Sequence, residues 1–346
     1  MSTFGQRRRR LLSAAGEYGN VVVMNPKNIF YLTDFWGGAI GVVREEETVL
    51  VVSAMEKARA TALAKEAEVV STASRLEQYE AARKLVSGRA LADEPDAKFG
   101  KADADPDLFL GVRRSKDQEE MARITKASRK IEGIYELLEK LIRPGRTERE
   151  VAAEVMKAAT AEGLSPLPAE GGLSPIIIAS GKNGAFPHAE LTDRKIRTGE
   201  FVVADIFFRY QGYCSDCTRT YAVGSVTREM RDAYGAVLEA QRVGSALAKR
   251  GASGRAVHEA VRDILGKAKL DQYFTHGTGH GVGIDIHESP SLGRASSDRL
   301  REGDVVTVEP GVYVPEKYGI RIEDTLALAS QTRNLFRYPK DLLSLG

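Results

Sequence analysis

Residues 274–290 read FTHGTGHGVGIDIHESP and hold His276, His280 and His287, three of the five histidines in the chain. His276 and His280 are four residues apart, a spacing that places paired zinc ligands on one face of a peptidase helix. Glycine occupies every second position from 277 to 283, and each glycine costs a helix about 1 kcal/mol relative to alanine. A phosphate-binding loop would precede a helix and carry Lys before Ser or Thr, which this stretch does not. We therefore predict an extended or looped segment.

Carboxylates inside apolar segments are a second feature that could support chemistry. The run FVVADIFF at 201–208 is apolar except for Asp205, and a lone carboxylate in a buried strand is costly unless it is paired or bound to a metal. If residues 209–212 form the turn of a hairpin, Asp205 faces Asp216. Like charges placed directly across a hairpin repel each other, and a bound cation would turn that repulsion into attraction.

A similar hairpin is predicted for VEPGVYVPEKYGIRIEDT at 308–325. Folding this segment about Glu316 sets Glu309 opposite Glu323, and the alternation of a strand places Arg321 on the same face as Glu323. An exposed sheet also presents a polar face, so either hairpin alone leaves a solvated surface as the alternative. Two such hairpins together with a histidine cluster favour a metal site.

The chemistry expected from these groups is metal-assisted hydrolysis. Asp205, Asp216, Glu309 and Glu323 carry a charge of −4 when ionised, which two divalent cations would neutralise, and His280 can add a nitrogen ligand. Carboxylate-rich sites with one imidazole suit manganese, cobalt or zinc. Two metals ~3.5 to 4 Å apart can hold a hydroxide and polarise a carbonyl oxygen.

The elements that must position these residues fall into two parts, as expected for a chain of 346 residues. Short β-like runs alternate with helical stretches in residues 1–112, which predicts an α/β amino-terminal domain. Helices and hairpin strands in residues 113–346 predict an α+β domain. The polar stretch Asp93–Asp107 is interpreted as a linker or exposed crossing. Capping boxes are predicted at Ser115 with Gln118 and at Thr147 with Glu150, each ahead of a helix.

Composition limits the classes of partner and the location. With 50 basic and 48 acidic residues the net charge is +2, which creates no overall field for nucleic acid or an anionic membrane. The basic run Arg7–Arg10 precedes too short an apolar stretch for a signal peptide, and no run reaches the ~18 residues of a membrane helix. We therefore predict a cytoplasmic protein and interpret the run as a solvated helix face or a frayed terminus. Cys214 and Cys217 lack further ligands at zinc-finger spacing and are interpreted as reduced side chains in a strand.

The motifs resemble those of the pita-bread metallopeptidases, a family that includes methionine aminopeptidase, Xaa-Pro aminopeptidase (aminopeptidase P), prolidase and the metal-free creatinase. The resemblance covers essentially the whole chain, and NIFYLTDF at 28–35 is similar to the amino-terminal domain of the family. It implies a creatinase/prolidase-like amino-terminal domain followed by a pita-bread catalytic domain. The motifs occur in family order and spacing: FPH from 186, D-x10-D at 205 and 216 with GYCSDCTRT, HGTGHGVG from 276, VEPG from 308 and RIED from 321.

The resemblance implies a site with two divalent metal ions, with manganese preferred and cobalt or zinc as alternatives. In that site Asp216 and Glu323 would bridge the two metals, and Glu309 would also carry a proton from the attacking water to the leaving amine. The five metal ligands implied are the groups that the hairpin and charge argument reaches: Asp205, Asp216, His280, Glu309 and Glu323.

The resemblance also assigns roles to residues around the metals. His188 and His287 would contact the substrate carbonyl and the tetrahedral oxyanion, a task for well-placed hydrogen-bond donors. His276 and Arg321 would orient the ligands from behind. His258 lies in the helical segment RAVHEAVRDIL and matches no motif, so it is interpreted as structural.

Two departures from the family pattern bear on function. Phe207 stands where the family usually has glycine, which leaves the local packing open. Prolidases often place an arginine directly after the proline of H-E-x-P, but here that position is Ser291, with Arg294 nearby.

The complete ligand set argues against creatinase, and methionine aminopeptidases generally lack a comparable amino-terminal domain. We therefore expect an Xaa-Pro aminopeptidase acting on peptides with proline at the second position, with an Xaa-Pro dipeptidase as the alternative. A non-catalytic pita-bread protein that binds peptides or proteins is a further alternative. Since dimers are common among relatives with this layout, a homodimer is one option for assembly.

Overall fold

A computed structural model describes residues 2–95, 102–167 and 174–346 of the chain. The chain divides into two compact units, Met1–Arg113 and Arg114–Gly346, and the boundary expected from the sequence lies between residues 112 and 113. None of the helices in the described ranges is long and apolar enough to cross a lipid bilayer.

The first unit is built on one mixed sheet of six strands in the order β4-β3-β2-β1-β5-β6. Its first three strands form an antiparallel meander, whereas β4, β5 and β6 join in parallel. This arrangement confirms the predicted α/β class. The strands are β1 Asn20–Val23, β2 Ala39–Val43, β3 Thr48–Ser53, β4 Glu68–Thr72, β5 Ala90–Ala92 and β6 Ala102–Ala104, and the helices up to the boundary are α1 Thr3–Ala14, α2 Pro26–Thr33, α3 Lys57–Leu63, α4 Arg75–Leu85 and α5 Leu108–Arg114.

Two expectations for this unit need correction. Arg7 belongs to helix α1 and its side chain is buried. Its guanidinium donates a hydrogen bond of 2.8 Å to the carbonyl of Tyr31 on α2, so the basic run is not simply a solvated face. Ser2 caps the helix, which is not a frayed terminus. The polar stretch Asp93–Asp107 is not wholly a linker, because strand β6 lies within it. Residues 96–101 of that stretch lie outside the described ranges.

The second unit contains helices packed against sheets that are antiparallel except where β17 joins β9 in parallel, which confirms the α+β prediction. Its sheets have the orders β17-β9-β8-β7, β11-β10-β12-β15-β16 and β13-β14. The helices are α6 Gln118–Leu141, α7 Glu148–Ala161, α8 Arg228–Leu247 and α9 Gly254–Lys267. The strands are β7 Ile176–Ser180, β8 Phe201–Tyr210, β9 Tyr213–Val223, β10 Gly279–Gly281, β11 Glu288–Leu292, β12 Val305–Val308, β13 Gly311–Val314, β14 Tyr318–Arg321, β15 Asp324–Ala327, β16 Arg333–Asn334 and β17 Ser344–Leu345.

The two long helices α6 and α7 both begin with a capping box. At α7 the box is formed by Thr147 and Glu150, as predicted. At α6 it is formed by Asp117 and Glu120 instead of the predicted Ser115 and Gln118. The prediction was wrong there because the sequence offers two polar candidates in succession, and the Asp–Glu pair satisfies the free backbone N–H groups of the first turn.

Strand β8 shows how the core positions the site. Alternate residues of a strand point to opposite faces of the sheet. Ala204 and Ile206 accordingly pack into a core shared with Ile131 and Tyr135 of α6, while Asp205 between them points to the other face. The apolar pattern therefore fixes which face of the sheet carries the carboxylate.

The turn between β8 and β9 is tighter than predicted. Gln211 and Gly212 form it alone, both with positive φ, as in the two-residue hairpin turns whose twist matches that of the flanking strands. The register is consequently shifted by two residues, so that Asp205 lies opposite Thr218 and Asp216 lies opposite Phe207. The predicted direct pairing of the two aspartates was wrong. A shift of two residues keeps the side chains on the same face, and both aspartates still reach the same cavity.

In the second hairpin the predicted register is confirmed. The strands pair Val308 with Asp324 and Gly311 with Arg321, which brackets the Glu309 and Glu323 positions as expected. The chain reverses at Glu316, which has a φ of 56°.

Candidate metal centre

The residues predicted for the site all line one cavity of about 290 Å³ in the second unit. Five segments supply the carboxylates and the imidazole: β8, β9, β10 and the two arms of the second hairpin. The lining includes Asp205, Asp216, His188, His276, His280, His287, Glu309, Arg321 and Glu323.

Three of these residues form a compact donor set for a metal ion. One ligand atom from each of Asp216, His280 and Glu323 lies within 4.8 Å of the other two. His280 Nε2 also lies 3.3 Å from Glu309 Oε1. The Nδ1 atom of His280 is 3.1 Å from the carbonyl oxygen of Gly281, which can only accept a hydrogen bond. In a neutral imidazole this contact leaves Nε2 free as the ligand atom.

Buried oxygen atoms provide the test of whether a cation fits. In the part of the chain that the structure describes, Asp205 Oδ1, Asp216 Oδ1 and Glu323 Oε1 are buried without a hydrogen-bond donor. Buried polar groups are normally satisfied, and a buried charge without compensation is costly. Unsatisfied carboxylate oxygens that converge with an imidazole nitrogen on one cavity are a suitable ligand set for divalent cations.

The electrostatics of the cluster agree with this interpretation. Burial, and then the negative charge of Glu323, hold the pKa of Asp216 well above its usual range. Burial and the charge of Glu309 do the same to the pKa of Glu323. Burial would also raise the pKa of Glu309, but the hydrogen bond and charge of His280, together with the charges of His276 and Arg321, outweigh it and lower that pKa to about 2. The cluster therefore has more negative charge than its own side chains can stabilise.

Behind the carboxylates, His276, Tyr313 and Arg321 form a chain of hydrogen bonds. Arg321 donates to the Tyr313 hydroxyl at 2.6 Å and also to Asp205 Oδ2. Tyr313 lies 2.9 Å from His276 Nε2, and His276 Nδ1 lies 2.7 Å from the carbonyl of Gly277. Burial lowers the pKa of His276, so the neutral ring donates from Nδ1 and accepts from the tyrosine. This chain fixes the orientation of Asp205.

Two of the remaining histidines, His188 and His287, lie at the cavity wall. The ring of His287 lies edge-on to that of His280, with ring centres 4.3 Å apart. Partial burial, and then the neighbouring His280, lower the pKa of His287 to about 4, so it is neutral at pH 7 with one N–H to donate. His188 follows Pro187, whose carbonyl accepts a hydrogen bond of 3.0 Å from Arg321. His258, by contrast, lies 3.0 Å from the Thr278 hydroxyl and lines a neighbouring cavity.

The structure adds three residues that the sequence interpretation missed. Tyr313 joins His276 to Arg321, Thr218 donates to Glu323 Oε2 at 2.6 Å, and the Thr307 hydroxyl accepts from the His280 backbone N–H at 3.0 Å. A signal for Tyr313 was present, because the predicted register puts it on the same face as Arg321. The two threonines gave no such signal, since their partners are distant in sequence.

The glycines around His280 have a steric role. A Cβ atom at Gly279 would lie 2.0 Å from the carbonyl oxygen of Thr307, and one at Gly281 would lie 2.3 Å from that of Ser289. Both contacts are with backbone, which cannot move aside. The glycines therefore let three chain segments approach closely at a strand rather than hold a phosphate, and His276 and His280 do not share a helix.

Cys214 and Cys217 are free and fully buried in strand β9, the strand position that the sequence interpretation gave them. Burial raises the pKa of the Cys214 thiol to about 12. The two thiols lie near the site but are unreactive, because the thiolate is the reactive form.

The cavity and its carboxylate and imidazole groups fit a metal-dependent hydrolase, and comparisons with known proteins identify the family. Residues 122–330 match metallopeptidase family M24, and residues 6–110 match the creatinase/prolidase N-terminal domain. The chain belongs to metallopeptidase family M24, with the pita-bread fold, and is a hydrolase.

Relatives extend over the whole length of the chain. An uncharacterized peptidase of Bacillus subtilis, YqhT, is 30% identical over 98% of this chain and 99% of its own. The solved structure of an Xaa-Pro dipeptidase from Bacillus anthracis matches with a TM-score of 0.91, 29% identity, and coverage of 99% of this chain and 100% of its own. That of an X-Pro aminopeptidase from Thermotoga maritima matches with a TM-score of 0.87, 26% identity and 99% coverage of both chains.

Proposed function

We propose that this protein is an exopeptidase that uses two divalent metal ions to hydrolyse the Xaa-Pro bond at the amino terminus of peptides. The observation that carries the proposal is the group of buried carboxylates with unsatisfied oxygens beside His280. Asp205, Asp216, His280, Glu309 and Glu323 would hold the metals. When bound, two such cations supply Lewis acidity and lower the pKa of an attacking water.

The side chains around the metals have separable tasks in this proposal. Glu309, whose Oε1 lies 3.3 Å from His280 Nε2, accepts the proton of the attacking water and delivers it to the departing amine. Neutral His287 donates a hydrogen bond to the oxygen that gains negative charge, and His188 contacts the substrate carbonyl. His276 and Arg321 hold this arrangement through Tyr313.

Several features favour an aminopeptidase over a dipeptidase. Ser291 lies directly opposite His280 and lines both the site and a second cavity of about 720 Å³. His276 and Gly277 also line both cavities. A small side chain at 291 leaves a passage through which a peptide longer than two residues can continue. An arginine at this position would instead be suited to binding the carboxylate of a dipeptide.

The dipeptidase alternative is favoured by one observation, since Arg294 lines the second cavity and could bind the carboxylate of a short substrate. If so, Arg294→Ala should raise the KM for Ala-Pro. The control Arg255→Ala, which removes an exposed arginine of α9 that lines neither cavity, should leave this KM unchanged. Under the aminopeptidase proposal both changes leave cleavage of Ala-Pro-Ala unaltered.

The direct test uses metal-stripped protein with Ala-Pro, Ala-Pro-Ala and Ala-Ala-Ala, each with and without Mn²⁺, Co²⁺ or Zn²⁺. We expect metal-dependent release of alanine from the two proline peptides, fastest with Mn²⁺ and faster for the tripeptide, and its loss in Asp216→Asn. Faster cleavage of the dipeptide would favour the dipeptidase. If no metal supports cleavage of either proline peptide, the proposal is wrong, and peptide binding that persists in Asp216→Asn would then indicate a non-catalytic protein.

A further inference from the structure

Phe207 occupies an unusual place for an aromatic residue in a core strand. It lies on β8 two residues after Asp205, so both side chains share the face that lines the site cavity. The ring is 6% exposed, and it lies across the hairpin from Asp216. Its neighbours Ile206 and Phe208 pack into the core on the other face. Phe207 therefore faces the space in which the proposed reaction takes place.

The cavity has an apolar part to which Phe207 belongs. Ile177, which lies directly opposite Asp205 on β7, and Ile286 line the same cavity. Both are at least nine-tenths buried, with exposures of 4% and 5%. Such a surface suits a nonpolar group of the substrate and cannot stabilise a charged one.

The strand register places Phe207 away from the Arg321 end of the site. Arg321 lies against Thr220 and Thr218, since its backbone N–H donates to the Thr220 hydroxyl at 3.1 Å and its Nε to that of Thr218 at 3.2 Å. These residues pair with positions 203 and 205 of β8, whereas Phe207 pairs with Asp216, one step further along. Phe207 and Arg321 therefore lie on opposite sides of Asp205.

The two ends of the cavity differ in how open they are. Beyond Phe207 the hairpin is bonded to the segment that follows β10, through Cys214 N–H to the Gly283 carbonyl at 2.7 Å and Arg209 to the Ile284 carbonyl at 3.1 Å. At the other end His276, which contacts Tyr313 and through it Arg321, opens onto the second cavity. An exopeptidase acting at the amino terminus must let the rest of the peptide leave, so the downstream chain takes the open end and the first residue the end beside Phe207.

We propose that Phe207 sets the size of the first residue that the site accepts and selects peptides with short side chains, such as alanine, over leucine or phenylalanine. This inference rests on the proposed function. The ring forms part of the wall of a cavity of about 290 Å³, and close-packed interiors yield little to a larger group. Discrimination by apolar contacts of this kind is about 10- to 100-fold.

The test compares Phe207→Ala with wild type on Ala-Pro and Leu-Pro, together with their tripeptide forms. The ratio of kcat/KM for the leucine substrate to that for the alanine substrate should rise at least ~10-fold in Phe207→Ala. Most of the change should appear in the KM of the leucine substrate. An unchanged ratio in a folded variant that binds metal as wild type does would overturn the proposal.

Control variants separate size selection from loss of stability. Phe336→Ala truncates another buried phenylalanine, 3% exposed in the core against α6, and should destabilise the fold without changing the substrate ratio. If Phe207→Ala does not fold, Phe207→Leu and Phe207→Val provide milder reductions in volume. The ratio should then increase from phenylalanine through leucine to valine at this position, and a flat series would count against the proposal.

A binding measurement distinguishes failure of this inference from failure of the proposed function. Alanine hydroxamate and leucine hydroxamate present the two side chains on a metal-binding group, and calorimetry with Mn²⁺-loaded protein gives their affinity ratio without any cleavage. In Phe207→Ala this ratio should shift toward leucine hydroxamate by about 10-fold. If wild type cleaves no peptide but the ratio shifts, the size limit stands and the proposed reaction does not. If the ratio does not shift, the size limit is wrong.

Discussion

Glu323 and Asp324 are adjacent in sequence and equally buried, at 1% and 0% exposure, yet their surroundings differ completely. Asp324 accepts hydrogen bonds from Arg219 at 2.8 Å and Asn334 at 2.7 Å, and Lys340 also contacts it. Glu323 faces the cavity, where it accepts one hydrogen bond from Thr218 and its other oxygen has no donor in the described part of the chain.

The pKa values of the two carboxyl groups diverge accordingly. Burial would raise the pKa of Asp324, but Arg219 and Lys340 outweigh it and hold that pKa below the usual range. The pKa of Glu323 is well above its usual range because burial and the charge of Glu309 act in the same direction. A buried carboxylate with its own cations is part of the fold. A buried carboxylate without neighbouring cationic side chains instead indicates a site for a bound metal cation.

The largest effect expected is on catalysis. Glu323→Gln keeps the shape of the side chain but removes its charge, so we expect cleavage of Ala-Pro-Ala to fall at least ~10³-fold, with less Mn²⁺ bound per chain by elemental analysis. The free energy of unfolding of the metal-free protein should stay the same or rise, since one buried charge is removed. Activity within tenfold of wild type would contradict a metal-binding role for Glu323.

The next largest effect is on stability. Asp324→Asn leaves Arg219 buried without its counter-ion, so the free energy of unfolding in urea should fall by about 3 to 5 kcal/mol. Because the folded-state pKa of Asp324 is depressed, its contribution is present above the ordinary value of 3.8 and is lost as the pH falls below it. The gap between wild type and variant should therefore narrow below pH 3.8.

A matched control for that change is Asp341→Asn, which removes an exposed carboxylate 3.7 Å from Arg242. It should alter the unfolding free energy by less than about 0.5 kcal/mol. Equal losses in Asp324→Asn and Asp341→Asn would contradict the structural role assigned to the Asp324 cluster.

Within that cluster, the smallest effect should come from the outermost cation. Lys340 is partly exposed, with 22% of its side chain accessible, and Asp324 keeps Arg219 and Asn334 without it. Lys340→Met should therefore cost about 1 kcal/mol, measured by the same urea titration. A loss as large as that of Asp324→Asn would mean that Lys340, rather than Arg219, dominates the cluster.

How far the sequence predicts the site depends on which property fixes each residue. Strand alternation assigned Glu323 to the cavity face because that assignment needs only the position of the turn, which Pro315 and Gly319 indicate. The first hairpin was misplaced by two residues because nothing in Gln211–Gly212 distinguishes a two-residue turn from a longer one. Asp205 and Asp216 were nevertheless identified, since an even shift preserves the face.

Other parts of the molecule could not be predicted because they depend on partners far apart in sequence. Thr218 is significant only through its contact with Glu323, more than a hundred residues later. Arg7 looked like one of four solvated arginines, and its burial depends on contacts such as the hydrogen bond to the carbonyl of Tyr31, 24 residues later. Local sequence patterns predict the secondary-structure elements and the face on which each residue lies, whereas the pairing of buried polar groups depends on the assembled fold.

Strand β9 carries a buried carboxylate with an oxygen that has no hydrogen-bond donor in the described part of the chain and, three residues later, a buried arginine that is paired with Asp324. Asp216 lines the cavity and Thr218 donates to Glu323 beside it, whereas Cys217 packs in the core and Arg219 contacts Asp324. A slip of β9 by one residue would send Arg219 into the cavity and the carboxylate of Asp216 into the hydrocarbon core, with neither charge compensated. The charged residues of β9 thus also disfavour misfolding. A one-residue slip of this strand costs far more free energy than the same slip of a wholly apolar strand, because it buries uncompensated charges.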